Sequence, residues 1–120
     1  MTQPLDPLAF LNLAQELASQ GNDETKIRTA VGRAYYALFL VAREKTGVRG
    51  RRNVHQLVID GVRGRTGYRP IGDQLDTLRR LRSVADYQLL PDKTADRDWM
   101  RNWSRVDEIV KRILPRLSSW

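Results

Sequence analysis

"KIRTAVGRAYYALFLVAREKT", residues 26–46, decides the fold class. Ile27, Ala30, Val31, Ala34, Leu38 and Val41 recur at three- and four-residue steps, the period of a helix with one apolar face. Tyr36, Phe39 and Leu40 fall on the opposite side. A helix apolar almost all round is either central in its bundle or shared with a partner. In a chain this small the shared face is the expectation, and with it a homodimer.

The same period extends outward in both directions. Upstream, Asp6 and Pro7 suit the cap and first turn of a helix over about 7–20, with Phe10, Leu13, Ala14, Leu17 and Ala18 on one face. "NDET" then opens the central helix with acids in its first turn. Downstream, "GVRGRRN" and "RGRTGYRP" are basic, glycine-punctuated loops around a short helix at about 54–63. A fourth helix is expected from about Ile71 to Leu90, stopped by Pro91, with Ile71, Leu75, Leu78, Leu81, Ala85 and Leu89 as its core face. A fifth follows "DKTADRD", over about 95–117, with the stripe Trp99, Trp103, Val106, Val110, Ile113 and Leu117. Pro115 is expected to fray or kink its last turn. Together these read as an all-α, antiparallel up-and-down bundle of four long or medium helices plus one short helix, in a single domain spanning 1–120.

Composition narrows the function classes. A chain of 120 residues with 41% hydrophobic and 29% charged residues is sized for one globular core. No apolar run is long enough for a bilayer, so no membrane partner is expected. "MTQPLDPLAF" lacks the basic start and long apolar stretch of a signal peptide. The absence of cysteine excludes disulfides and points to a cytoplasmic home. A single histidine leaves no metal site to expect, and "GVRGRR" lacks the spacing and the Lys-Ser/Thr ending of a nucleotide-binding glycine loop. No cofactor is implied.

The net charge of +7 is concentrated. Between Arg43 and Arg82, eleven Lys/Arg stand against four Asp/Glu, and elsewhere the two signs balance. Such a field suits a phosphate-bearing partner, RNA or a nucleotide, although a solvated surface would carry it too. Arg49, Arg51 and Arg52 in the first basic loop, with Arg79 on the fourth helix, are the candidate contacts.

One polar residue interrupts an apolar stripe. Arg82 falls inside the core arc of the fourth helix, and Asp86 sits one turn later at its edge. Burying a guanidinium unpaired costs several kcal/mol. Arg82 therefore either snorkels out as a structural clamp on a carboxylate or faces a functional cleft. Trp99 and Trp103, four residues apart on an apolar face, read as core rather than as base-stacking groups.

"RTAVGRAYYALFLVAREKTG", then "NVHQLVID", then "LRRLRSVADYQLL" resembles the HEPN family (higher eukaryotes and prokaryotes nucleotide-binding domain), over about residues 8–115. "RAYYALF" and "R-x-x-ADY" are the specific parts. The resemblance implies a dimerising helical bundle. It further implies either a metal-independent RNase of the toxin or defence type, or a non-catalytic module that binds nucleotide or protein. A nucleotidyltransferase-like antitoxin is the implied partner. Arg82 matches the family's catalytic arginine, but Asp86 and Tyr87 stand where its histidine is expected. Asp86, Tyr87 and the lone His55, which opens the third helix, are the candidates for the missing base. Arg33 and Tyr36 match an Arg-x-x-Tyr pattern that lines the same cleft or forms a dimer contact.

Overall fold

The computed structural model describes residues 5–89 and 95–120. Five helices follow one another, α1 (Leu8–Ala18), α2 (Glu24–Thr46), α3 (Val54–Gly64), α4 (Arg69–Tyr87) and α5 (Trp99–Ser118). They form an all-α bundle, with no strand among the described residues.

α2 is the axis of the bundle, packed against each of the other four helices. Its ends are set locally. The Asp23 carboxylate accepts from the Lys26 amide at 3.2 Å, and Gly47 closes the helix at φ +72°, a conformation glycine adopts without cost. Central placement accounts for its all-round apolar surface. Phe39, expected on a face left for a partner, is buried by the chain's own side chains. Of that face Tyr36 remains partly exposed and Leu40 partly buried.

Named contacts give the directions. Arg28, early in α2, lies over Trp99 at the start of α5 and reaches the chain just after α4. Tyr68, at the start of α4, donates its hydroxyl to the Arg116 carbonyl near the end of α5 at 2.9 Å. α4 therefore runs antiparallel to both α2 and α5. Between α3 and α4 the approach is close at Gly72, where an added Cβ would stand 2.5 Å from Arg63 Cγ and 3.0 Å from Arg63 N.

The α2–α3 connection positions the later site. Arg43 donates from Nε to the Val48 carbonyl (3.4 Å) and from Nη2 to the Gly50 carbonyl (3.3 Å). These bonds fold residues 47–53 back along the last turns of α2. α3 then starts beside the middle of α2, with His55 against Phe39, and its Gly61 comes near Thr46.

Two boundaries differ from the pattern-based expectation. α4 ends at Tyr87, before Leu90 and Pro91, which lie outside the described residues. The Arg28 guanidinium reaches across to donate to the carbonyls of Gln88 and Leu89, the latter at 2.9 Å, and Gln88 turns extended. Leu89, assigned by periodicity to the core, is consequently 94% exposed. α5 starts at Trp99 rather than near 95, because Asp98 caps the Met100 amide and the Asn102 side chain exchanges two hydrogen bonds with the Asp96 backbone. At its far end α5 continues through Pro115 to Ser118 without the expected fraying. Trp99 and Trp103 both pack with the core, as their spacing suggested.

Candidate functional site

Helices α2, α3 and α4 enclose a cleft of about 270 Å³, lined by Thr29, Gly32, Arg33, Tyr35, Tyr36, His55, Arg82 and Asp86. Five sequence candidates thus meet in one place: Arg33 and Tyr36 from α2, His55 from α3, and Arg82 and Asp86 from α4. The stripe on α4 turns polar where it faces this opening.

Arg82 and Asp86 form an ion pair across one helical turn, Nε to Oδ2 at 2.9 Å, with 34% of each side chain exposed. No described residue accepts a hydrogen bond from the terminal guanidinium nitrogens of Arg82. Arg33 is exposed and has no ion-pair partner among the described residues. Two guanidiniums therefore stand at the cleft with donors to spare, against one carboxylate that is already engaged.

His55 is held on two sides. Its ring stacks on Phe39 with centroids 4.2 Å apart, and its Nδ1 lies 2.6 Å from the Tyr35 hydroxyl. Burial and the positive field of Arg79, Arg82 and Arg43 hold the imidazole below its usual pKa of about 6.5. At neutral pH the ring is uncharged. Burial likewise pushes the Tyr35 hydroxyl well above the ordinary phenol range; Arg79 and Arg82 oppose this and Asp76 adds to it. Tyr35 stays protonated.

Tyr36 closes one side of the cleft, edge-on to Phe10 of α1 at 5.1 Å. Gly32 makes the close approach of α2 and α4 possible, since a Cβ there would lie 3.3 Å from Asp86 Oδ1. A glycine inside a helix costs about 1 kcal/mol relative to alanine, and room for the ion pair is what the site gains.

The remaining candidates are not in the wall. Tyr87 is 73% exposed beyond Asp86, with the Arg82 guanidinium 5.7 Å from its ring centre. Arg79 stands behind His55, donating to Gln56 Oε1 at 3.2 Å, and contributes its field rather than a surface. Arg49, Arg51 and Arg52 lie exposed on the folded-back loop that leads into His55, outside the cleft lining. Part of the basic excess is neutralised locally: Arg63 pairs with Asp60, Asp73 and Asp76, and Arg80 with Asp76. Among the described residues no group of three His, Cys, Asp or Glu side chains could hold a metal ion, and no helix is long and apolar enough to cross a membrane.

The sequence pattern does not single out Thr29, Gly32 or Tyr35. The mid-helix glycine was the one available signal, because such a residue marks a close approach. Comparison with family models, curated proteins and solved structures gives no match. The HEPN resemblance therefore rests on the motif residues themselves.

Chemically, the cleft offers two guanidiniums, a neutral imidazole and two phenols around a small volume. Ligand pockets for drug-sized molecules begin near ~300 Å³. This one has room for a phosphoryl group and part of its sugar.

Proposed function

We propose that the cleft binds the phosphate of an RNA strand or a nucleotide. The observation that carries this reading is the convergence of Arg33, Arg82 and His55 on one opening, with a single carboxylate that Arg82 already holds. Guanidinium donors match phosphate oxygens in geometry and charge. Arg51 and Arg52, exposed on the adjoining loop, extend the positive surface along which a longer strand would run. Tyr36, partly exposed at the rim, offers a ring face to a base. Its exposure also leaves a place for a second copy of the chain to dock, as in the dimers that the HEPN resemblance implies.

A second reading, metal-independent RNA cleavage, draws on one observation: a neutral imidazole shares the cleft with two guanidiniums. A base and a charge stabiliser are the groups such a reaction asks for.

The test is titration of a labelled single-stranded RNA and of AMP with wild type and Arg82→Ala, at low and high salt, alongside RNA cleavage in EDTA. Binding that weakens steeply with salt and is lost in a folded Arg82→Ala supports the first reading. Cleavage lost in the same variant supports the second. If wild type neither binds RNA or AMP nor cleaves RNA, both are wrong.

A further inference from the structure

The cleft contains one hydroxyl whose proton has a single destination. Tyr35 is 1% exposed, and its oxygen lies 2.6 Å from His55 Nδ1 with no other acceptor for it among the described residues. A phenol carries one proton to donate, and a neutral imidazole carries one proton on either nitrogen. If that proton sat on Nδ1, it would point at the Tyr35 oxygen, and the phenol proton would be buried without an acceptor. If it sits on Nε2, the phenol donates to Nδ1 and both groups are satisfied. Turning the ring over would put a carbon against the hydroxyl, and stacking on Phe39 at 4.2 Å fixes the plane.

We infer that Tyr35 holds His55 in its Nε2–H form, and that this N–H joins the Arg33 and Arg82 guanidiniums as a third donor to the oxygens of a phosphate ester. The inference rests on the phosphate-binding reading and selects retention of the ester over its cleavage. A base for the ribose 2′-hydroxyl would need a free lone pair on Nε2, which this form lacks. Asp86, the one carboxylate among the described residues that line the cleft, is held by Arg82 Nε at 2.9 Å. Tyr35 acts as a positioning residue, reaching the ligand only through the imidazole.

The experiment is long-range proton–nitrogen correlation of ¹⁵N-labelled His55 at neutral pH, in wild type and Tyr35→Phe, with and without AMP or inorganic phosphate. Wild type is expected to show the proton on Nε2, and AMP or phosphate is expected to shift that nitrogen. Tyr35→Phe is expected to populate both tautomers and to bind AMP about 3- to 10-fold more weakly, the size of one net hydrogen bond. His55→Gln keeps an amide donor but cannot serve as a base, so it tests the base role alone. A proton on Nδ1 in a protein that binds AMP overturns the inference and leaves the phosphate reading standing. RNA cleavage abolished by His55→Gln also overturns it. Nε2–H with no response to either AMP or phosphate overturns the donor role together with the phosphate reading.

Discussion

Replacing Arg82 with alanine separates a functional guanidinium from a structural one, and Arg28 supplies the internal comparison. Among the described residues Arg82 makes one ion pair, with 34% of each partner's side chain exposed. Pairs of this kind contribute about 0.2–1 kcal/mol, and alanine returns a few tenths through helix propensity. Arg82→Ala is therefore expected to cost less than about 1 kcal/mol, a fall in Tm no larger than roughly 3–6 °C for a domain of this size. Arg28 keeps only 15% of its side chain exposed, donates to the carbonyls of Gln88 and Leu89, and lies 4.5 Å over Trp99. Charged hydrogen bonds of ~1.5–3 kcal/mol and a cation–π contact of ~0.5–2 kcal/mol give about 2–4 kcal/mol for Arg28→Ala, allowing for non-additivity. The assay is urea unfolding of both variants followed by circular dichroism, with AMP titration of each folded protein. Arg82→Ala should lose about 10- to 100-fold in AMP affinity while remaining folded, from ~1.5–3 kcal/mol of charge-assisted bonding. A loss of more than about 3 kcal/mol in Arg82→Ala, or of its helicity, would refute the argument. The arginine on the stripe would then be the clamp, and the cleft incidental.

Four further outcomes follow from contacts already described. Because His55 has a lowered folded-state pKa, the unfolded chain takes up its proton first as the pH falls. Stability should therefore be full above about pH 6.5 and decline from there down to the folded value, and His55→Gln should remove that step in unfolding titrations across the window. Burial leads this lowering, and Arg79 and Arg82 on α4 and Arg43 on α2 add to it, so AMP, by countering their field, should raise the His55 pKa as read by NMR. Gly72→Ala drives a methyl to within 3.0 Å of the Arg63 backbone nitrogen, and should lower stability by about 1–3 kcal/mol in denaturant melts. Gly32→Ala comes closest to the Asp86 carboxylate at 3.3 Å, with Arg82 Cγ at 3.9 Å, so it should leave stability within about 1 kcal/mol of wild type while weakening AMP binding.

Helix number and the core faces were legible because each depends on near neighbours in the chain. Ile27, Ala30, Val31 and Leu38 are buried as their spacing implies, and so are Leu75, Leu78 and Leu81. What periodicity misread it misread for tertiary reasons. Leu89 continues the α4 stripe on a wheel, yet the helix has already ended, because a guanidinium sixty-one positions earlier takes its carbonyl. Phe39 looked surplus to one core because a wheel shows a helix alone, whereas α2 packs against four other helices.

The site shows the same division more sharply. Arg82 was detectable as a charge out of place on its own helix, and Arg33 and Tyr36 as members of a short pattern. His55 could be placed with them only once the path of residues 47–53 was known. That path depends on Arg43 binding the Val48 and Gly50 carbonyls, a contact that a glycine-rich loop permits without announcing. Tyr35 was harder still, since a buried tyrosine among apolar neighbours resembles any core residue until its hydroxyl is seen at His55 Nδ1. Yet that hydroxyl bears on the question the motif leaves open. The pattern of the family it resembles asks for a histidine after the arginine on α4, whereas the histidine in this cleft comes from α3, with the Tyr35 phenol at its Nδ1. A histidine with that partner is a donor before it is a base. If the cleft takes a phosphate ester, keeping or cutting it depends less on a histidine in α4 than on where Tyr35 puts the imidazole proton.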